Sequence, residues 1–261
     1  MKRPSAIRPR GHIDPDAAKR PAFVLADSHG PTEGTWHAHR RAQLVHAAEG
    51  VLTVITKAGR WVVPPQRAVW VPGGMEHAVA SRRPFRLLTL YLDPAAAPLP
   101  PACRVVAVDR LAEELLRAAA AFGSDYPLGG SEERLMAVIL DRLPALTEAP
   151  LSLPHPESPA LQRIAAALAV DPSDGRTLEA WCAGAGMTAR TAARRFVTET
   201  GMTFGRWRQQ LRLLAALERL GAGESVTTVA LEVGYEDVSA FIAVFKAAMG
   251  ETPARYFKAN A

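Results

Sequence analysis

Three histidines and a group of arginines are the residues of this chain whose types and spacing could do chemistry. His37 and His39 stand two apart in the run Trp36-His37-Ala38-His39. Side chains alternate along an extended strand, so both imidazoles point to one face, and Gln43 shares that parity if the strand runs on. A turn written Pro72-Gly73-Gly74-Met75-Glu76 then delivers a third imidazole, His77. Convergent imidazoles can hold a borderline divalent ion, or can hydrogen-bond one another, water or a ligand in a metal-free pocket, and both readings stay open here. His46 has the opposite parity, and His12, His29 and His155 fall in expected loops.

In the last third of the chain, Arg190, Arg194, Arg195, Arg206, Arg208 and Arg212 face only Glu199 locally. They sit within a repeat at an offset of 49 residues: Phe196 recurs as Phe245, Gly201 as Gly250, Thr203 as Thr252, Arg206 as Arg255 and Trp207 as Tyr256. Gly186 answers to Gly234, so the second copy has one extra residue before its Phe. Each copy reads as helix, Gly-containing turn, helix and Gly-x-Thr, which is a tandem pair of helix-turn-helix units. Two recognition helices on one rigid piece can read successive major-groove faces about 34 Å apart. In the first unit Thr177 and Thr188 can cap the two helices. Ala192 and Phe196 should face the core, which turns Arg190, Thr191, Ala193 and Arg194 outward. An arginine fork can pair with guanine and discriminate by roughly 1–3 kcal/mol. In the second unit the expected outward residues are Val238, Ser239 and Ile242.

The elements that must position these groups change character along the chain. Residues 23–92 read as short strands punctuated by Gly and Pro, among them Thr35–His39, Ala42–Ala47, Val51–Thr56 and Phe85–Leu92, the pattern of a jelly-roll barrel. Trp36, Val54, Trp61, Val63, Trp70, Leu88 and Leu90 are candidates to line its pocket. Helical spacing follows at Leu111, Leu115, Ala118, Ala119 and Phe122 after Asp109, and again from Ser131. The Pro-rich run PALTEAPLSLPHPESP reads as a linker, because Pro continues neither helices nor central strands. Seven further helices are expected between Leu161 and Lys258. The expectation is an α+β multidomain chain. A basic disordered tail (1–20) precedes a β-barrel (21–100), a helical coupling or dimerisation segment (101–146), a linker (147–159) and an all-α domain of two helix-turn-helix units (160–261).

Composition sets outer bounds. The 261 residues carry a formal net charge of +5, which permits a nucleic-acid partner through a basic patch. Cys103 and Cys182 are too few for a disulfide framework or a zinc cluster and read as buried thiols of a cytoplasmic protein. The basic N-terminus lacks the apolar stretch of a secretory signal, and no run of about 18 apolar residues suits a membrane.

Two resemblances sharpen these readings. His37-x-His39 with Gly50 further on, followed by Pro72-x-Gly74-x-x-His77, resembles the paired motifs of the cupins. That resemblance implies metal ligation by His37, His39, Gln43 and His77. The departure is Gln43, where the usual ligand is Glu, so the set brings no negative charge and does not select among Zn²⁺, Ni²⁺, Mn²⁺ and Fe²⁺. The stretch from Arg195 through Tyr256, with VALEVGYEDVSAFIAVFKAAMGETPARYF, resembles the AraC/XylS family of bacterial transcription regulators. It implies two helix-turn-helix subdomains joined by the long helix Phe204–Leu220 and entering adjacent major grooves. Ile242 and Ala243 stand where that family commonly has Ser-Arg. The first unit is therefore expected to carry most base specificity, and the second to position the protein through phosphates, including at helix N-termini near Ser225 and Asp237. A cupin ahead of this domain implies a non-enzymatic regulator that binds promoter DNA and a small-molecule effector, with RNA polymerase as a partner if it activates, and a homodimer as an expected state. The competing readings are a metal-dependent cupin enzyme fused to a DNA-binding domain, and a constitutive regulator with a structural cupin. Against the enzyme, Glu76 is the nearest carboxylate in sequence, and its place beside His77 suggests that it points away.

Overall fold

The computed structural model describes residues 13–96, 100–183 and 186–258. Among the described residues ten strands build the N-terminal half: β1 (Ala22–His29), β2 (Ala42–Glu49), β3 (Leu52–Thr56), β4 (Gly59–Val63), β5 (Arg67–Val71), β6 (His77–Ala80), β7 (Phe85–Leu92), β8 (Arg104–Ala107), β9 (Glu148–Ala149) and β10 (Ser152–Pro154). They form a six-stranded sheet in the order β1-β7-β2-β5-β8-β9 and a four-stranded sheet in the order β10-β4-β3-β6, and their named pairings are antiparallel. The two-residue alternation of each strand sorts the core into layers. Val45, Val69, Val71 and Leu87 of the large sheet meet Leu52, Val54, Trp61 and Val63 of the small one inside the barrel. Leu44, Trp70, Leu88 and Leu90 have the other parity and lie outside it. They are covered by α1 (Arg110–Ala120) and α2 (Ser131–Arg142), through Leu116, Ala119, Met136 and Ile139. Trp70, Leu88 and Leu90 thus pack under helices instead of lining a pocket. The helical pair is a hairpin on its own barrel, capped at Asp109, whose carboxylate accepts the Ala112 N–H at 2.7 Å.

Among the described residues seven helices make the C-terminal half: α3 (Pro159–Val170), α4 (Leu178–Cys182), α5 (Ala189–Thr200), α6 (Phe204–Gly221), α7 (Val226–Glu232), α8 (Val238–Met249) and α9 (Pro253–Lys258). The repeat is a packing repeat. Phe196 lies 5.8 Å from Trp207 and Phe245 lies 6.0 Å from Tyr256, ring centre to ring centre. Gly201 and Gly250 end α5 and α8 at φ +72° and +86°, a left-handed turn that favours glycine.

Three sequence expectations change. Thr35–His39 is not a strand: it touches the sheet only through a bridge between His37 and His77. The Pro-rich linker is in large part sheet. Its residues 148–149 and 152–154 supply an edge strand to each sheet, with Leu151 and Leu153 buried. Pro is tolerated there because an edge strand leaves one row of backbone groups unpaired. Part of the expected tail is ordered as well: Pro15–Ala17 form a 3-10 turn, and the Asp16 carboxylate accepts the backbone N–H of Arg40 and Arg41. Residues 1–12, with His12, lie outside the described residues, as does Gly184.

The two halves share one apolar core. The α6 helix crosses the outer face of the small sheet. Trp207 Nε1 donates to Pro154 O at 2.9 Å, Thr53 Oγ1 donates to Glu218 Oε1 at 2.5 Å, and Arg60 pairs with Glu218 at 3.0 Å. Tyr256 adds a fourth tie by donating to Pro65 O at 2.5 Å. Among the described residues no helix is long and apolar enough to cross a membrane.

Candidate metal centre and nucleic-acid interface

The backbone sews two turns together to make the histidine site. His37 and His77 exchange N–H···O bonds, each 2.9 Å, and Gly74 N donates to His39 O at 2.8 Å. The three rings therefore meet, with centres 4.3 Å (His37–His77), 5.4 Å (His39–His77) and 6.0 Å (His37–His39) apart. One ring nitrogen from each lies within 4.8 Å of the others. Each Nδ1 contacts a backbone carbonyl: His37 to Thr35 at 2.8 Å, His39 to Arg41 at 2.6 Å and His77 to Met75 at 2.8 Å. A carbonyl can only accept, so each Nδ1 carries the proton and each Nε2 keeps its lone pair. This is the tautomer a metal-binding imidazole needs, fixed by its other nitrogen.

Burial pushes His77 down to about 4, against the opposing bond to Met75 O and with help from His37 and His39. Burial likewise lowers His39. Both rings are neutral at pH 7, as ligands must be. Among the described residues His39 Nε2 is buried with no hydrogen-bond partner, an atom that a bound ion would satisfy. Gln43 does join the site, but as described it presents nitrogen: its Nε2 lies 2.6 Å from His77 Nε2 and donates to that lone pair. An ion at His77 would have to replace this bond. Tyr91 closes one wall, 5.5 Å from the His39 ring, and burial pushes its phenol up to about 12. The sequence did not mark Tyr91, although the strand period of β7 would have placed it on the inner face. Glu76 pairs with Lys57 at 2.8 Å. Trp36 is exposed at the surface.

A cavity of about 580 Å³ lies on the outer face of the small sheet, between Thr53, Ile55, Arg60 and Arg82 of the barrel and Glu218 of α6.

The expected DNA-reading residues divide. On α5, Arg190, Ala193 and Arg194 are exposed and Thr191 is half-buried, while Ala192 and Phe196 are fully buried. Thr188 accepts the Thr191 N–H at 3.2 Å and caps the helix, as Thr177 caps α4. Glu199, the lone acid near these arginines, is turned away to accept the backbone N–H groups of Glu157 and Ser158. On α8, only Ser239 of the three expected residues is exposed. Val238 and Ile242 are half-buried and pack against the core, which corrects their expected outward placement. The repeat itself carries the better signal: Arg190 and Arg194 correspond to Ser239 and Ala243, both exposed. Asp237 accepts the Ser239 N–H at 2.9 Å, an ordinary helix cap.

Comparison with known proteins gives two family matches. Residues 20–139 match the AraC-like ligand binding domain, and residues 181–259 match a helix-turn-helix domain. The HTH-type transcriptional regulator NimR of Escherichia coli (strain K12) is 35% identical over 245 residues, spanning 93% of this chain and 90% of that protein. RipA of Corynebacterium glutamicum, also an HTH-type transcriptional regulator, is 32% identical over 107 residues, 40% of this chain and 32% of its own length. Among solved structures, ToxT from Vibrio cholerae aligns over 93% of this chain and 100% of its own at 10% identity, with a TM-score of 0.40.

Proposed function

This chain belongs to the AraC family of DNA-binding transcription regulators, and we propose that its barrel is a sensor whose input is a divalent metal held by His37, His39 and His77. The observation that supports the metal is the shared tautomer: three Nδ1–H groups are tied to carbonyls, so each Nε2 carries a lone pair, that of His77 engaged by Gln43 until an ion replaces the bond. Zn²⁺, Ni²⁺, Mn²⁺ and Fe²⁺ suit imidazole donors. Bound, the ion would supply an electrophilic centre open to a ligand. The chain's own residues hold the rings neutral and oriented, and Gln43 either turns its amide oxygen to the ion or yields His77 to it. We read the site as a sensor and not an enzyme, because the chain belongs to a family of transcription regulators. A cytoplasmic working place goes with a DNA partner. If the protein activates, RNA polymerase is a further partner.

On the DNA, Arg190 and Arg194 of α5 read base edges, whereas α8 with Ser239 and Ala243 offers no bidentate donor and chiefly positions the protein. A second input has support in the cavity between Arg60, Arg82 and Glu218, where a small molecule would touch both domains at once. A ligand there shifts DNA binding only as far as it prefers one arrangement of α6 over another.

The test is elemental analysis of the purified chain, then binding to a promoter-region duplex before and after chelation. Stoichiometric metal that is lost in H37A/H39A/H77A, with DNA affinity changing on chelation, is expected. Metal retained in the triple variant, or chelation without effect on DNA, would refute the metal-sensor reading.

A further inference from the structure

The α6 helix joins the two helix-turn-helix units, and one side chain in its middle is bonded to both. Arg212 Nε donates to Pro172 O at 2.9 Å, and Nη2 donates to Ser173 O at 3.4 Å. These carbonyls belong to the loop between α3 and α4, which sets where the first unit begins. Arg212 Nη1 donates to Gly234 O at 2.9 Å. Gly234 is the turn between α7 and α8, and so sets the angle of the second recognition helix. The guanidinium also lies 5.9 Å from the centre of the Tyr235 ring, which is next in that turn. One helical turn earlier, Arg208 Nη1 donates to Arg176 O at 2.9 Å, and the Arg176 guanidinium stacks 3.5 Å from the Trp181 ring of α4. The same face of α6 thus grips the first unit twice, and Arg212 alone of this pair reaches the second.

We propose that Arg212 is the positioning residue that fixes the spacing and rotational phase of the two recognition helices, and hence which separation of DNA contacts the protein accepts. The chemistry is that of a planar fork. Five N–H groups in fixed directions can serve three carbonyls from two loops at once, whereas a lysine ammonium is a single point on a flexible stem. The fit is close on the far side as well: a Cβ at Gly234 would lie 2.5 Å from Arg212 Nη2. Gly234 has φ +87°, so its freedom and its lack of a side chain both serve this contact.

Inserting one base pair between two contacted major-groove segments moves them apart by about 3.4 Å and rotates one by roughly a tenth of a turn. A rigid pair of helices cannot follow that shift, and a loosened pair can. The probe is a duplex selected by the unaltered protein from a random-sequence library, together with versions carrying one inserted or deleted base pair between the two protected segments. Full-length protein is expected to lose about tenfold or more in affinity on the altered spacings, and R212Q no more than about threefold. R212K, which keeps the charge, should fall between them. A fold defect alone would weaken all spacings equally.

A second readout needs no operator. Val197 on α5 and Lys246 on α8 are both exposed. Spin labels placed by V197C/K246C, in a chain with its two native cysteines replaced by alanine, should give one narrow distance that broadens on adding R212Q or R212K. An unchanged distance distribution, an unchanged spacing penalty in R212K, or indifference of the unaltered protein to spacing would each overturn the proposal.

Discussion

Replacing Glu218 by Ala should cut the main polar tie between the barrel and the helix that carries both DNA-reading units. Its Oε1 accepts from Thr53 Oγ1 at 2.5 Å and from Arg60 Nη2 at 3.0 Å, and Arg82 stands 4.0 Å from Oε2. The Glu218 side chain is 16% exposed, that of Arg60 34% and that of Arg82 56%. At an effective dielectric near 20, the Arg60 attraction at this distance is about 5 kcal/mol gross, most of which desolvation offsets. What remains is in the range of a hydrogen bond to a charged group, about 2 kcal/mol. Arg82 is too exposed to add much. Thr53 is buried, so its hydroxyl left unpaired costs about 1 kcal/mol more. The sum predicts a loss of about 3 kcal/mol for E218A, and about half of that for E218Q, which keeps an acceptor for Thr53. Urea unfolding followed by far-UV circular dichroism measures both. A cycle with T53V should show coupling of about 1 kcal/mol between the two residues. An E218A chain within about 0.5 kcal/mol of the unaltered protein, or additive effects in the cycle, would refute this account of the docking.

Other contacts give sharper local tests. At Gly221, where α6 meets the barrel, an added Cβ would overlap Val51 Cγ2 and come 2.8 Å from Val51 Cβ; G221A should therefore lose about 1–3 kcal/mol by overpacking, with V51A in the same chain restoring part of it in thermal melts. The Glu113 carboxyl is held down at about 2, first by His46 and then by Arg117 against the cost of burial. Its stabilisation is present in full above the unfolded value of 4.5 and is lost as pH falls towards about 2. E113Q should accordingly be less stable than the unaltered chain by about 1 kcal/mol at pH 7 after solvent screening, and the gap should shrink in denaturant titrations run from pH 5 down to pH 3. R194A should lose roughly 1–3 kcal/mol on its selected site and relax one base position, while I242S should instead lose about 1 kcal/mol of stability with base preference unchanged. Equal losses on selected and random duplexes would show that Arg194 touches only phosphate.

Much of this molecule is written in local pattern. The 49-residue repeat, the helix caps at Thr177 and Thr188 and the buried pair Ala192 and Phe196 follow from helix period and capping chemistry, which need no distant partner. The three histidines were legible from spacing, although the reason they meet was not. The expected strand at 35–39 is a loop, and the bridge between His37 and His77 brings the rings together. Local pattern failed where a residue's role depends on what lies opposite. Val238 and Ile242 fit an outward face by position, but apolar side chains beside a growing core are drawn into it. Residues 148–154 carry too few positions to show a strand period and too many prolines to suggest one, yet both sheets have open edges that pair with them. The tautomers of the histidines, the turning away of Glu199 and the grip of Arg212 on two loops depend on carbonyls and N–H groups far off in the chain. Sequence by itself determined the family, the two-part architecture and the residue types available for chemistry, because these rest on short-range periodicity and motif. Tertiary structure alone decided which of those residues are free, which are tied and how the barrel grips the DNA-binding helices, because those energies arise only when distant backbone groups come within bonding reach.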